Sequence, residues 1–137
     1  MNSGAPTVHV DLHCHSDASD GYYEPRIVAD LLAEAGVDYA ALTDHQTTAG
    51  TVGFRAGAAR RGIADIVGAE VTARFEELEI HLLAYGFDPD GTIMQGLFGR
   101  VVSAAEAIAA IASAALTTRP KSPCMMGFSG SNPYANR

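Results

Sequence analysis

His13 and His15 stand one residue apart and follow the apolar-rich run of residues 7–12. On an extended backbone side chains alternate between faces, so both imidazoles point to one side and Cys14 to the other. Ser19 and Gly21 favour a turn, from which Asp20 returns a carboxylate toward the imidazoles. His45, Glu70 and His81 add further side chains of the same chemical kind. Imidazole nitrogens and carboxylate oxygens together are ligands for divalent metal ions, and that is the chemistry these residues offer.

Each residue also has a plainer explanation when taken alone. A His-x-His pair can be a surface feature, and Asp20 a turn former. His45 can begin a helix, because Thr43, Asp44 and Thr47 are all cap-forming types. Glu70 can be a solvated strand end and His81 a satisfied core histidine. Cys14 reads as a small buried hydrophobe rather than a ligand. What outweighs the separate explanations is where these residues fall along the elements.

Those elements follow from periodicity and punctuation. Residues 7–12 predict a strand, and residues 24–35 a helix with Pro25 in its first turn and Gly36 at its end. Ile27, Leu31 and Ala35 form its apolar stripe. Residues 37–43 predict a second strand, and residues 48–61 a second helix weakened by Gly50, Gly53 and Gly57. Residues 63–67 predict a third strand that ends in Gly68-Ala69-Glu70. Residues 71–75 and 78–85 then form a hairpin around Glu76-Glu77, followed by a turn-rich loop at 87–91. Strand, helix, strand, helix, strand implies right-handed βαβ units and a parallel sheet. Ligands bind at the carboxyl ends of such strands. His13, His15 and Asp20 follow the first predicted strand, His45 the second and Glu70 the third, with His81 inside the fourth. From about Met94 the character changes. Residues 101–116 are alanine-rich and helical by composition, whereas residues 117–137 hold Pro120, Pro123 and Pro133 and are expected to be irregular or disordered.

The whole chain fits one domain, with 137 residues, 47% hydrophobic and 18% charged. Nine basic against sixteen acidic residues argue against a surface that grips long nucleic acid by its phosphates. A small phosphorylated substrate remains compatible, because bound cations supply local positive charge. The two cysteines match no disulfide or zinc-finger spacing, residues 1–6 lack the apolar core of a signal peptide, and no run is long enough to span a bilayer. The expectation is a cytoplasmic protein with no membrane partner.

Asp11–Gly21, Thr43-Asp44-His45, Gly68-Ala69-Glu70 and His81-Leu82-Leu83-Ala84-Tyr85-Gly86 together resemble the PHP (polymerase and histidinol phosphatase) family of metal-dependent phosphoesterases. The resemblance covers about residues 7–90 and is strongest to small stand-alone members acting on nucleotides or short oligonucleotides. It implies an α/β fold, the N-terminal portion of a distorted (β/α)7 barrel, with residues 7–115 as a partial domain and 116–137 as a tail. It also implies up to three divalent ions, with zinc, manganese or iron the best match and magnesium admissible. His13 and His15 would hold the first ion, Glu70 would bridge it to a second that His81 helps to hold, and Asp20 and His45 would hold a third. Asp44 would orient a ligand imidazole through its other nitrogen. Gln46 stands where the family usually continues Thr-Asp-His-Asp.

The implied reaction is hydrolysis of a phosphate ester by metal-bound hydroxide. Ligands of this kind bind as neutral imidazoles, so metal affinity should weaken below about pH 6. Complete members carry a further histidine and a late Asp-x-His pair, but no histidine follows His81 here. The expectation is therefore a truncated form with an exposed sheet edge prone to self-association. Two alternatives stay open: a truncated, non-catalytic metal-binding module, and an inert α/β domain in which these residues only cap and pack.

Overall fold

A computed structural model describes residues 7–100 and 102–118. The strand β1 (Val10–Cys14) leads to the helix α1 (Pro25–Glu34), then β2 (Tyr39–Leu42) and α2 (Thr51–Arg61). There follow β3 (Ala64–Phe75), β4 (Leu78–Tyr85), α3 (Thr92–Gln95), β5 (Val102–Ser103) and α4 (Ala104–Thr117). Pro25 opens α1, where its missing N–H costs nothing. Gly36 and Gly62 take left-handed φ just after α1 and α2, as helix ends often require.

β1, β2 and β3 pair in parallel, in that order, and β4 pairs antiparallel with β3. The hairpin turns at Glu76-Glu77, with Phe75 opposite Leu78 and Glu76 at positive φ. The sheet curls far enough for Tyr85, at the end of β4, to reach Leu12 of β1. Two cores lie against it. One joins Val28 and Ala29 of α1 and Phe54 and Ala58 of α2 to Ala40 and Leu42 of β2. The other joins Val71 and Ala73 of β3 to Met94, Leu97, Ala107 and Ala114.

Three elements differ from the sequence-based expectation. β3 does not stop at Gly68-Ala69-Glu70 but runs on through Phe75 as one strand. It changes neighbours instead: its first part pairs with β2 up to Val67, and from Gly68 it pairs with β4. Gly68 suits that change, since a Cβ there would sit 2.9 Å from Leu42 O and from Thr43 Cγ2. The short helix α3, which buries Met94, had no periodic signal over four residues. Val102 belongs to β5, and the alanine-rich helix begins only at Ala104. There Ser103 Oγ accepts from the Glu106 N–H at 3.2 Å, half of a capping box that was present in the sequence. α4 runs to Thr117, one residue past the helical stretch expected at 101–116, and residues 119–137, where most of the irregular tail is expected, lie outside the described residues. Among the described residues no helix is long and apolar enough to cross a membrane.

Candidate metal centre

Four imidazoles surround one carboxylate. Glu70, only 5% exposed, sits where β3 exchanges β2 for β4 and forms an isolated bridge with His45. Its Oε2 lies 3.1 Å from His13 Nε2, 3.2 Å from His15 Nε2 and 3.7 Å from His45 Nε2. Its Oε1 lies 2.9 Å from His81 Nδ1. The rings form a row, with centroids 5.1 Å apart from His13 to His15, 4.7 Å from His15 to His45 and 5.1 Å from His45 to His81. Asp20, largely exposed, places Oδ1 3.4 Å from His15 Nδ1 and Oδ2 3.6 Å from His45 Nε2. Every residue singled out as a ligand from the sequence therefore comes into one cluster.

Three groups in it have ligand atoms close enough to share an ion: His13, His15 and Glu70; His15, Asp20 and His45; His45, Glu70 and His81. A tetrahedral ion with bonds of about 2.1 Å sets its ligands about 3.4 Å apart, which these separations bracket. Distances near 3 Å also suit hydrogen bonds, so spacing alone does not separate the two cases. His15 Nδ1 does. It is buried and makes no hydrogen bond, although an Asp20 oxygen lies 3.4 Å away. A buried ring nitrogen without a partner is costly unless something fills the gap, and a cation fits the donor set. Two carboxylates facing four imidazoles supply both the charge and the lone pairs it needs.

Asp44 does something other than the expected orienting of an imidazole. Its buried carboxylate accepts from Ser16 N–H and Ser16 Oγ, each at 2.7 Å, and from Ser19 Oγ at 2.8 Å. These bonds fasten the loop after β1 that carries Asp20. Backbone bonds to Ser16 O from Ser19 N (3.1 Å) and Gly21 N (2.8 Å) complete the fastening. Gly21 cannot be replaced freely, since a Cβ would run into the His15 carbonyl. Ser19 is expected from the sequence only as a turn former, and Ser16 carries no separate signal there; their bonds to Asp44 are seen only in the structure. Thr43, Asp44 and Thr47 do not cap α2, whose N-cap is Gly50.

Gln46 adopts φ of 52°, donates its N–H to Glu70 O at 2.8 Å and its side-chain amide to Arg100 O at 3.2 Å. Two groups flank the cluster with shifted acidity. Burial, then the carboxylates of Asp11 and Asp44, push the Cys14 thiol up to about 12, and it donates to Ala41 O at 3.3 Å. Burial, then Glu70 and Asp11, raise the Tyr85 phenol above its ordinary value, which keeps it a donor to Leu12 O at 2.7 Å.

Comparison with known proteins agrees with this geometry. Over 81 residues the chain is 41% identical to a 3',5'-nucleoside bisphosphate phosphatase of Chromobacterium violaceum, covering 59% of this chain and 28% of that protein. Over 82 residues it is 39% identical to a 5'-3' exoribonuclease of Haemophilus influenzae, covering 60% of this chain and 30% of that protein. The chain thus spans about 30% of the length of these relatives. A crystal structure from Bifidobacterium adolescentis, ascribed to a metal-dependent phosphoesterase, superposes with a TM-score of 0.62 at 32% identity, over 66% of this chain and 32% of that one. The PHP domain itself matches residues 11–115, so the chain belongs to the PHP domain family.

Proposed function

We propose that this chain binds divalent cations at the Glu70 cluster and uses them to hydrolyse phosphate esters of nucleotide-like molecules. The observation that carries the reading is the convergence of four imidazoles, drawn from β1, β4 and the loops after β1 and β2, on one buried carboxylate. The relatives named above, a nucleoside bisphosphate phosphatase and an exoribonuclease, support the choice of a small nucleotide or short oligonucleotide. Zinc, manganese or iron(II) match a mixed nitrogen and oxygen donor set better than calcium does.

His13, His15 and Glu70 would hold one ion, and His45, Glu70 and His81 a second, so that Glu70 would serve both. The ions supply Lewis acidity toward a phosphoryl oxygen and acidify water. The chain's own residues orient: Glu70 fixes the spacing, while Asp44, Ser16 and Ser19 hold the loop that presents His15 and Asp20. A neutral imidazole has one free lone pair, yet His15 and His45 each occur in two of the three groups. An ion using the unpartnered His15 Nδ1 would sit toward Asp20 and one using His15 Nε2 toward Glu70, so the two compete for His15, and fewer than three ions per chain is the expected content.

A metal-binding module without turnover is the second reading. It is favoured by the same count, since six residues serve three overlapping groups. Metal analysis of the purified chain, combined with phosphate release from a nucleoside 3',5'-bisphosphate in zinc or manganese, decides between them. Metal with turnover supports the phosphoesterase; stoichiometric metal without turnover supports the module; folded protein that takes up no metal overturns both.

A further inference from the structure

The peptide group between Leu12 and His13 is held at both its polar atoms by side chains. Tyr85 donates its hydroxyl to Leu12 O at 2.7 Å across the curl of the sheet. Asp11 Oδ1 accepts from the His13 N–H at 3.1 Å. Both contacts fall on an irregularity in β1: Asp11 faces Ala40 and Cys14 faces Leu42, so three steps on β1 match two on β2. An extra residue of this kind bends a strand and re-aims a side chain. Here the side chain is His13, whose ring reaches Glu70 although about half of it is exposed (52%). So exposed a ring has little packing to hold it, and its direction depends on the backbone beneath it.

We infer that Tyr85 and Asp11 are positioning residues that fix the Leu12–His13 peptide and thereby aim His13 at the Glu70 cluster. The inference rests on the metal-binding reading proposed above. Neither residue need touch the ion, and Asp11 is in none of the three ligand groups. Both act through hydrogen bonds to one peptide, which separates their role from charge contributed to the site. Groups that orient a metal-binding imidazole typically change affinity by about 10- to 100-fold when removed.

The test is cobalt(II) titration of the full chain, followed by its visible absorption, with circular dichroism as the control for folding. Tyr85→Phe keeps the ring and deletes the donor; Asp11→Ala deletes the acceptor; Asp11→Asn keeps an oxygen. Tyr85→Phe and Asp11→Ala should each bind cobalt about 10-fold more weakly, with a shifted absorption band. Asp11→Asn should restore wild-type binding. An Asp11→Asn variant as weak as Asp11→Ala overturns the hydrogen-bonding role of Asp11. If His13→Ala loses cobalt while Tyr85→Phe and Asp11→Ala bind it as the wild type does, the positioning role falls and the metal reading stands. If the wild type takes up no cobalt, the metal reading falls and takes this inference with it. Amide exchange of the unsubstituted, metal-free chain adds a check that needs no variant: the His13 N–H should be protected, and free exchange overturns the inference.

Discussion

Glu70 is the residue whose loss should cost most at the site, because both of its oxygens are engaged and it lies beside all four imidazoles, whereas Asp20 reaches only His15 and His45. Glu70→Gln keeps the volume but removes the charge, and calorimetric titration with zinc should show binding weakened at both groups that contain Glu70. Asp44 belongs to a different class. Its substitution by Ala strips three donors from a buried pocket, and bonds to an ionised acceptor contribute about 1.5–3 kcal/mol each before relaxation. Asp44→Ala should lower stability by about 3 kcal/mol in urea unfolding and weaken metal binding through the loosened loop. Cys14 makes a prediction of opposite character. Its folded acidity lies above the ordinary thiol value of 9.0, at about 12, so the folded state holds the proton more tightly. Its contribution to stability is whole below pH 9 and is lost as pH climbs toward 12. Iodoacetamide at pH 8 should leave the Cys14 peptide unlabelled in the folded chain and label it in urea, as read by mass spectrometry. The six ligand-type residues were legible in the sequence because residue type and order carry that chemistry. Asp44, Ser16, Ser19 and Tyr85 were not read correctly, or not read at all, because what they do depends on contacts across 25 to 73 residues.

At the scale of elements, legibility followed length and punctuation. α1 stood out because an apolar stripe, Pro25 and Gly36 mark it, and the hairpin because Glu76-Glu77 divides two apolar-rich runs. β3 was divided in the sequence reading because Gly68 looks like an end. In the structure it is the point at which a continuous strand exchanges one neighbour for another. That exchange is what buries Glu70 rather than leaving it at a solvated tip. The glycines of α2, which weaken it as a helix, serve its packing on α1. A Cβ at Gly57 would lie 2.9 Å from Ala29 Cβ and 3.0 Å from Arg26 O, tighter than packed helices accept. Gly57→Val should therefore destabilise despite its extra apolar surface, by about 2 kcal/mol. Thermal unfolding checks it, and a rise in the midpoint would show that the two helices separate without cost.

On the scale of the whole molecule, the sheet is curled but open. Among the described residues β1 pairs with β2 alone, so its other edge carries peptide groups without a strand beside them. Val8, Val10 and Leu12 alternate along it and are exposed, at 56%, 54% and 36%. An edge of this kind is a template for another strand. A second copy of β1 meets it with the same residues when the two run antiparallel about a two-fold axis, which makes the contact self-complementary. The chain should therefore associate as its concentration rises, and sedimentation velocity would show the shift from monomer to dimer. Val10→Lys places a charge in the middle of that edge, on the residue whose exposure shows it has room. The variant should remain monomeric at concentrations where the unsubstituted chain is dimeric. It should keep its metal content, because Val10 is exposed and offers no ligand atom to the cluster. A dimer that survives Val10→Lys would assign the contact to another surface, and loss of metal together with the dimer would mean that two copies of the chain build the site between them.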